Sequence, residues 1–249
     1  MRKFGVIGHP LTHSFSPAYF KEKFKREGVE DADFQAYPID SIEDLLPLLF
    51  QYPEIEGLTV TIPYKETILP KLDFIDEVAQ NVGAVNAIKI NRKESAVKLY
   101  GFNTDVIGFE KALLEGWILP SKALILGTGG AAKAVQYVLK KLDIDYMLIS
   151  RKANEFTLSY EQLNDDIVNE HKLIINTTPV GMYPNIEERL PLPFQSIDSE
   201  HYLYDLIYNP LETNFLKIGR AQGAHIKNGL KMLYLQADAF WNIVTTFEE

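Results

Sequence analysis

Cysteine is absent from the 249-residue sequence, which excludes disulfide bonds and thiolate metal sites. Long apolar runs are missing too, since no segment approaches the roughly 20 residues that a membrane-spanning helix needs. Met1 leads directly into a strand-like run rather than into a signal peptide. We therefore expect a cytoplasmic protein with no membrane partner.

Positive charge is in short supply as well. The 25 Lys and Arg residues are outnumbered by 34 Asp and Glu residues, and the net charge of −9 argues against a nucleic-acid partner. His9 and His13 stand near each other, but no third ligand lies at a suitable spacing, so no metal site is predicted. The remaining composition, 46% hydrophobic and 24% charged, is that of a globular protein with one large domain or two modest ones.

The segment 122–152 carries the clearest pattern in the chain. An apolar run at 123–126 predicts a strand buried on both faces, and a glycine cluster at 127–130 follows it. A stretch with apolar residues at helical spacing comes next, and then a second apolar run at 146–149. Strand, tight turn, helix and strand within about 30 residues indicate one βαβ unit.

The turn of this unit reads Gly127-x-Gly129-x-x-Ala132. The first glycine permits a tight turn, the second lets the backbone approach a pyrophosphate, and the alanine allows the helix to pack closely on the strand. Phosphates would lie on the N–H groups at the start of the helix. A P-loop is excluded, because Lys133 follows alanine rather than glycine. An ordinary glycine turn remains the alternative.

The end of the second strand indicates which dinucleotide is bound. An NAD site usually places Asp or Glu there, to bind the ribose 2′-hydroxyl. Here the sequence is Ser150-Arg151-Lys152, and a hydroxyl with two cations suits a 2′-phosphate. The sequence therefore predicts NADP, with a solvated basic turn as the alternative.

Two further regions carry polar residues at the ends of predicted elements. Ser16 can cap a helix that begins at Pro17, and its hydroxyl, with that of Ser14, suits a small carboxylate. Lys65 follows a predicted strand at 57–62, while Asp105 follows a predicted hairpin and opens a helix. Simple helix capping and a solvated lysine are the alternatives for these residues.

Short segments at 173–176, 203–206 and 225–227 predict further strands, and helices are predicted at 213–223 and 229–247. Loops that leave successive strands at their carboxyl ends are where an open α/β sheet binds its ligand. We therefore expect the ligand site of this half of the chain along those loops.

Read together, these segments resemble the shikimate dehydrogenase family over nearly the whole chain. The shared motifs are His13-Ser14-x-Ser16-Pro17, Val60-Thr61-Ile62-Pro63-x-Lys65, Gly83-Ala84-Val85-Asn86, Gly101-x-Asn103-Thr104-Asp105, Gly127-x-Gly129-Gly130-Ala131, Ile175-Asn176-x-Thr178-x-x-Gly181-Met182, Tyr204-Asp205-x-x-Tyr208-Asn209-Pro210 and Asn228-Gly229-Leu230-x-Met232-Leu233-x-x-Gln236-Ala237.

The resemblance implies an α/β fold with two domains that flank a cleft. Residues 1–105 plus 231–249 would form the substrate-binding catalytic domain, and residues 106–230 a Rossmann-type doubly wound NADP-binding domain. The implied reaction is the reversible NADP-dependent reduction of 3-dehydroshikimate to shikimate, a step of aromatic amino acid biosynthesis, by a monomer or homodimer.

The resemblance also implies roles for individual residues. Its catalytic pair falls on Lys65 and Asp105, which we treat as one coupled unit because either of them can carry the proton. Its substrate contacts fall on Ser14, Ser16, Thr61, Asn86, Tyr208 and Gln236. Its cofactor contacts fall on Gly127, Gly129, Gly130, Ala131, Ser150, Arg151, Lys152, Thr177, Met182, Leu206 and Gly229.

The sequence departs from the family pattern in ways that keep alternatives open. Thr59 stands where the family usually has Asn, and Ser-Arg-Lys at 150–152 replaces the frequent Asn-Arg-Thr. One alternative is a quinate/shikimate dehydrogenase that prefers NAD. Another is a non-catalytic NADP-binding sensor of the same fold, although such a sensor has no need for both Lys65 and Asp105.

Overall fold

The computed structural model of the chain describes residues 1–11, 15–93 and 96–248. Contacts divide the chain into two compact units, Met1–Ile107 with Gln236–Glu249, and Gly108–Leu235. Each unit is an α/β structure built on its own sheet. Every helix in the described part of the chain is too short or too polar to cross a lipid bilayer.

The strands are β1 (Arg2–Gly8), β2 (Ala32–Pro38), β3 (Ile55–Val60), β4 (Phe74–Ile75), β5 (Ala87–Lys93), β6 (Ala96–Phe102), β7 (Lys122–Leu126), β8 (Asp145–Ser150), β9 (Thr157–Ser159), β10 (Leu173–Asn176), β11 (Tyr202–Asp205) and β12 (His225–Lys227). The helices are α1 (Ser16–Glu27), α2 (Leu45–Gln51), α3 (Glu77–Val82), α4 (Thr104–Leu114), α5 (Gly130–Lys141), α6 (Asp165–Glu170), α7 (Asn214–Ala221) and α8 (Leu230–Thr246).

The sheet of the first unit is mixed, in the order β2-β1-β3-β5-β6-β4. Strand β1 runs parallel to β2 and β3, whereas β5 runs antiparallel to β3 and β6, which confirms the predicted hairpin. Alternate residues of β1 enter different cores, because side chains of a strand point to opposite faces. Phe4 packs with Phe20 of α1 and Phe240 of α8, while Ile7 packs with residues of α2, including Leu45.

The sheet of the second unit is entirely parallel, in the order β12-β11-β10-β7-β8-β9. This is the Rossmann strand order. Successive strands are added on one side of β7 as far as β9, and from β10 onward on its other side, so the order reverses between β7 and β10. Both central strands are buried on both faces, as their unbroken apolar runs predict. The α/β class and the doubly wound sheet are thus confirmed.

Helix starts differ from the sequence interpretation. Helix α1 begins at Ser16 itself, and Phe15 occupies the N-terminal capping position without a side-chain hydrogen bond. The prediction that Ser16 caps this helix is therefore wrong. A hydroxyl inside the first turn does not occupy the capping position, which lies one residue earlier. Helix α4 begins at Thr104 and Asn103 caps it, so the alternative of Asp105 as a simple cap is wrong.

Three half-buried cations cap the carboxyl ends of helices. Lys89 donates to the last turn of α8, Arg92 to the last turn of α2, and Lys227 to the end of α4. Lys227 Nζ lies 2.7 Å from the carbonyl oxygen of Ala112 and 2.6 Å from that of Glu115. Burial lowers the pKa of all three side chains. Each cation therefore offsets its desolvation by satisfying helix carbonyls at the negative end of a helix dipole.

Candidate active site

The structure brings Lys65 and Asp105 together although they lie 40 positions apart in the chain. Lys65 Nζ is 2.6 Å from Asp105 Oδ2, and the two side chains are 16% and 8% exposed. An ammonium and a carboxylate at this distance share a strong, charge-assisted hydrogen bond. The pair is accessible enough to meet a ligand and buried enough to act through a low local dielectric.

The loop that carries Lys65 is fixed on several sides. Thr61 donates its N–H to β1, and the hydroxyl of the buried Tyr64 donates to the carbonyl oxygen of Ile39 at 2.7 Å. The carbonyl oxygen of Lys65 accepts the N–H of Val85 at 2.8 Å. These bonds determine where the lysine stem leaves the backbone, so the position of the ammonium does not rest on its ion pair alone.

Asp105 owes its position to the start of α4. The Asn103 side chain accepts the N–H of Val106 at 3.2 Å and donates to the carbonyl oxygen of Ala84 at 2.8 Å. Asn103 thus ties the helix start to the loop before β5. Asp105 lies in the first turn of α4, where the helix dipole stabilises its negative charge.

Two of the residues predicted to contact substrate meet through Thr104. Asn86 Oδ1 accepts the N–H of Thr104 at 2.6 Å, and Asn86 Nδ2 donates to Thr104 Oγ1 at 3.0 Å. Thr104 Oγ1 in turn lies 3.4 Å from Gln236 Oε1 on α8. Sequence reasoning assigned no role to Thr104, which is fully buried beside Asp105 and orients both amides. Its position in the motif Gly101-x-Asn103-Thr104-Asp105 was the available signal.

The other predicted substrate residues lie on separate elements. Ser16 opens α1 and Thr61 opens the loop of Lys65, and both are half-buried. Tyr208 follows β11 in the second unit. Ser14 lies outside the described residues.

The glycine turn of the second unit suits a phosphate. Gly127 has φ of +110°, and an added Cβ would lie 2.6 Å from Thr177 Oγ1, so only glycine fits. Gly129 immediately precedes α5, and a Cβ there would meet nothing within 4 Å. The space in front of the helix is therefore open, with the first-turn N–H groups of Gly130 and Ala131 beside it. The residues fit a dinucleotide pyrophosphate.

The end of β8 presents two exposed cations, Arg151 and Lys152. The side chain of Ser150 is instead engaged locally. Its Oγ donates to the carbonyl oxygen of Lys152 and accepts the N–H of Lys152 at 3.3 Å. Its hydroxyl proton is therefore used within its own turn, and the two side-chain charges remain for an anionic ligand.

The remaining predicted cofactor residues follow the carboxyl ends of β10, β11 and β12. Thr177 donates its N–H and its hydroxyl to the carbonyl oxygen of Leu126, at 2.9 and 2.7 Å, which joins the two strands where the order reverses. A Cβ added to Gly229 would lie 2.0 Å from the carbonyl oxygen of Leu206, so the close approach of these backbones requires glycine. Met182 is 37% exposed.

A buried acid, Asp205, lies at the same edge of the sheet. It accepts hydrogen bonds from Asn176 Nδ2 at 3.0 Å, the Ile207 N–H at 3.0 Å and Thr213 Oγ1 at 2.6 Å. Burial raises the pKa of Asp205 to about 7, against the opposing effect of its three donors. Asn176 and Asp205 both belong to shared motifs, but the sequence alone gives them no role, because burial is not visible in a sequence.

A metal site has no support among the described residues, where no group of three or more His, Asp or Glu side chains is arranged to hold an ion. His13, one of the two histidines considered from sequence, lies outside those residues.

Comparison with known proteins places this chain in a family. The model of the shikimate dehydrogenase substrate binding domain matches residues 6–88. A shikimate dehydrogenase (NADP(+)) of Methanosphaera stadtmanae is 36% identical over 262 aligned positions, which cover 97% of this chain and 90% of that protein. The chain belongs to the shikimate dehydrogenase family.

Solved structures of proteins similar to this shikimate dehydrogenase family member share its fold. Shikimate 5-dehydrogenase from Thermus thermophilus, in complex with NADP(H) and shikimate, has a TM-score of 0.85 and 32% identity, covering 99% of this chain and 94% of that one. Quinate dehydrogenase from Corynebacterium glutamicum, in complex with NAD, also has a TM-score of 0.85, at 26% identity and the same coverage. The fold is thus common to both activities, and sequence identity is higher for the shikimate enzyme.

Proposed function

We propose that this protein catalyses the reversible NADP-dependent reduction of 3-dehydroshikimate to shikimate in the cytoplasm, as a monomer or homodimer. Residues 1–105 plus 231–249 form the substrate-binding catalytic domain, and residues 106–230 form the NADP-binding domain, which adds Tyr208 to the substrate contacts. The observation that carries the proposal is the 2.6 Å pair of Lys65 and Asp105, in a member of the shikimate dehydrogenase family that also has a Rossmann-type sheet.

Lys65 and Asp105 handle the proton of the reaction. Reduction of a ketone creates negative charge on its oxygen, and a positioned ammonium stabilises and protonates that oxygen. When bound, the reduced nicotinamide supplies the hydride. Asp105, at 2.6 Å, holds the lysine in place and exchanges a proton with it, so the two side chains act as one unit.

The substrate contacts divide by chemistry. The hydroxyls of Ser14 and Ser16, with the first N–H groups of α1, bind the carboxylate. Neutral donors and acceptors bind the ring hydroxyls. Thr104 orients two of them, the side-chain amides of Asn86 and Gln236. These ring contacts are Thr61, Asn86, Tyr208 and Gln236.

The cofactor contacts divide in the same way. The open helix start binds the pyrophosphate, the basic end of β8 binds the 2′-phosphate, and the loops after β10, β11 and β12 contact the nicotinamide end. The pyrophosphate contacts are Gly127, Gly129, Gly130 and Ala131. The 2′-phosphate contacts are Ser150, Arg151 and Lys152. The nicotinamide-end contacts are Thr177, Met182, Leu206 and Gly229.

Lys65→Ala tests the reaction, with Lys71→Ala as the matched control. Lys71 also forms an ion pair, with Glu43 at 2.5 Å, and neither of these two residues belongs to the proposed site. We expect shikimate-dependent reduction of NADP, followed at the reduced-nicotinamide absorbance band, to fall by about 10²- to 10⁴-fold in Lys65→Ala and to stay normal in Lys71→Ala. NADPH binding should be unchanged in both. Normal turnover by Lys65→Ala would show that the lysine has another role, and a wild-type protein that only binds NADPH would indicate a sensor.

A second candidate is a quinate/shikimate dehydrogenase that prefers NAD. One observation favours it: the Ser150 hydroxyl is used within its own turn, which leaves it no proton to donate to a 2′-phosphate. The fold does not separate the candidates, because it is as similar to an NAD complex of quinate dehydrogenase as to a shikimate enzyme. Steady-state rates on both acids with both cofactors separate the candidates. Higher kcat/KM with quinate and NAD would replace the first proposal by the second.

A further inference from the structure

Asp205 is a buried titratable group that the proposed reaction does not use. Its two carboxylate oxygens serve different parts of the unit. Oδ1 accepts from Asn176 Nδ2 and from the Ile207 N–H, both at 3.0 Å, whereas Oδ2 accepts from Thr213 Oγ1 at 2.6 Å. Thr213 caps α7 through its contact with the N–H of Leu216, so the Oδ2 branch secures a helix.

The Oδ1 branch reaches the three loops that supply the nicotinamide-end contacts. On one side, Asn176 Oδ1 accepts the N–H of Thr178 at 2.9 Å and its hydroxyl at 2.7 Å, which fixes the backbone next to Thr177. On the other side, Ile207 follows Leu206 directly, and its carbonyl oxygen accepts the N–H of Gly229 at 2.9 Å. One carboxylate oxygen therefore connects the ends of three neighbouring strands.

We propose that Asp205 is a positioning residue for the nicotinamide end of the NADP site, through its Oδ1 bonds to Asn176 and Ile207. This inference rests on the proposed function, which assigns NADP to this edge of the sheet. The carboxylate is fully buried, so Asp205 does not touch the cofactor and acts only by holding the loops at a fixed separation. Loss of the Oδ1 branch should weaken NADP binding, whereas loss of the Oδ2 branch should cost stability alone.

Asn176→Ala and Thr213→Val test this division of roles. Asn176 and Thr213 are 0% and 1% exposed, so the two variants are matched in burial. The first variant cuts the Oδ1 branch at the β10 loop, and the second cuts only the branch to α7. We expect Asn176→Ala to raise the NADPH Kd and the KM for NADP by about tenfold, with the shikimate KM unchanged, because the loop after β10 loses its bonds to Asp205 and to Thr178. Thr213→Val should lower Tm and leave the NADPH Kd within about twofold.

Substitution of Asp205 itself gives a second test. Asp205→Asn keeps an acceptor at Oδ1 and places an amide opposite the Thr213 hydroxyl, which can accept a hydrogen bond. We expect this variant to bind NADPH within about threefold of wild type, whereas Asp205→Ala binds it at least about tenfold more weakly.

Equal NADPH affinities for Asn176→Ala and Thr213→Val at similar losses of Tm would overturn the inference, as would equal affinities for Asp205→Asn and Asp205→Ala. Because NADPH binding is measured without substrate, a wild-type protein that binds NADPH and does not oxidise shikimate overturns the proposed reaction and leaves this comparison intact.

Discussion

Asp205 should make the stability of the second unit depend on pH in a direction opposite to that of most carboxylates. Its pKa in the folded protein is about 7, above the ordinary value of 3.8. Between about pH 4 and pH 7 the folded protein holds a proton that the unfolded chain has released. The free energy of unfolding therefore falls as pH rises through this range, and it levels off above about pH 7.

The magnitude follows from the two pKa values. A tenfold change in proton affinity is worth about 1.4 kcal/mol, so the whole effect is on the order of 4 kcal/mol. Roughly 2.5 kcal/mol of it falls between about pH 5 and pH 8, where unfolding is easily measured. Other groups titrate in this range, so the quantity to compare is the difference between wild type and Asp205→Asn, whose amide does not titrate.

The assay is urea unfolding at several pH values, followed by tryptophan fluorescence. The chain has two tryptophans, and Trp117 lies in the second unit. Its ring centroid is 6.0 Å from that of Tyr204, the residue that precedes Asp205. A Trp241→Phe background makes Trp117 the reporter of this unit. We expect the wild-type curve to fall relative to the Asp205→Asn curve as pH rises. Parallel curves would refute a raised pKa for Asp205.

Three further predictions follow from the geometry. Gly129→Ala should leave Tm unchanged, because the new Cβ meets nothing within 4 Å, yet weaken NADPH binding by about tenfold or more where the pyrophosphate approaches. Arg151→Ala should lower the ratio of NADP to NAD kcat/KM by about tenfold or more, since it removes a charged donor from the end of β8. Lys227→Met should lower the free energy of unfolding by about 1–3 kcal/mol, measured by urea denaturation, because it leaves two carbonyls at the end of α4 without their donor.

Each of these predictions has an outcome that contradicts it. A lower Tm for Gly129→Ala would mean that the glycine serves the fold rather than the ligand. An unchanged cofactor ratio in Arg151→Ala would place the 2′-phosphate elsewhere. Unfolding of Lys227→Met at the wild-type urea midpoint would show that water replaces the lysine at no cost.

Elements with a strong local pattern could be predicted from the sequence. The βαβ unit at 122–150 and the strand Leu173–Asn176 were anticipated because their apolar runs are unbroken and bounded by turn residues. Helices α3 and α6 and strand β9 were missed, since elements of 3 to 6 residues carry too little periodicity to recognise. Their formation depends on packing that lies outside the local sequence.

The candidate site shows the same limit. The sequence singled out Lys65 and Asp105, but their 2.6 Å contact depends on the fold of the first unit, which no local pattern contains. Thr104 and Asp205 were passed over because their importance comes from complete burial and several partners. The capping role given to Ser16 failed because one residue of difference at a helix start moves a side chain out of the capping position.

The path of α8 has a consequence for the order of events during synthesis. Phe240 and Val244 fill the core around Phe4 and Phe20, so the first unit lacks part of its interior until the last helix emerges from the ribosome. The middle of the chain does not have to wait in this way, since its hydrophobic interior comes from its own residues. We expect a fragment that ends at residue 235 to keep a protease-resistant middle segment while its first hundred residues are digested, and resistance of both halves would contradict this order.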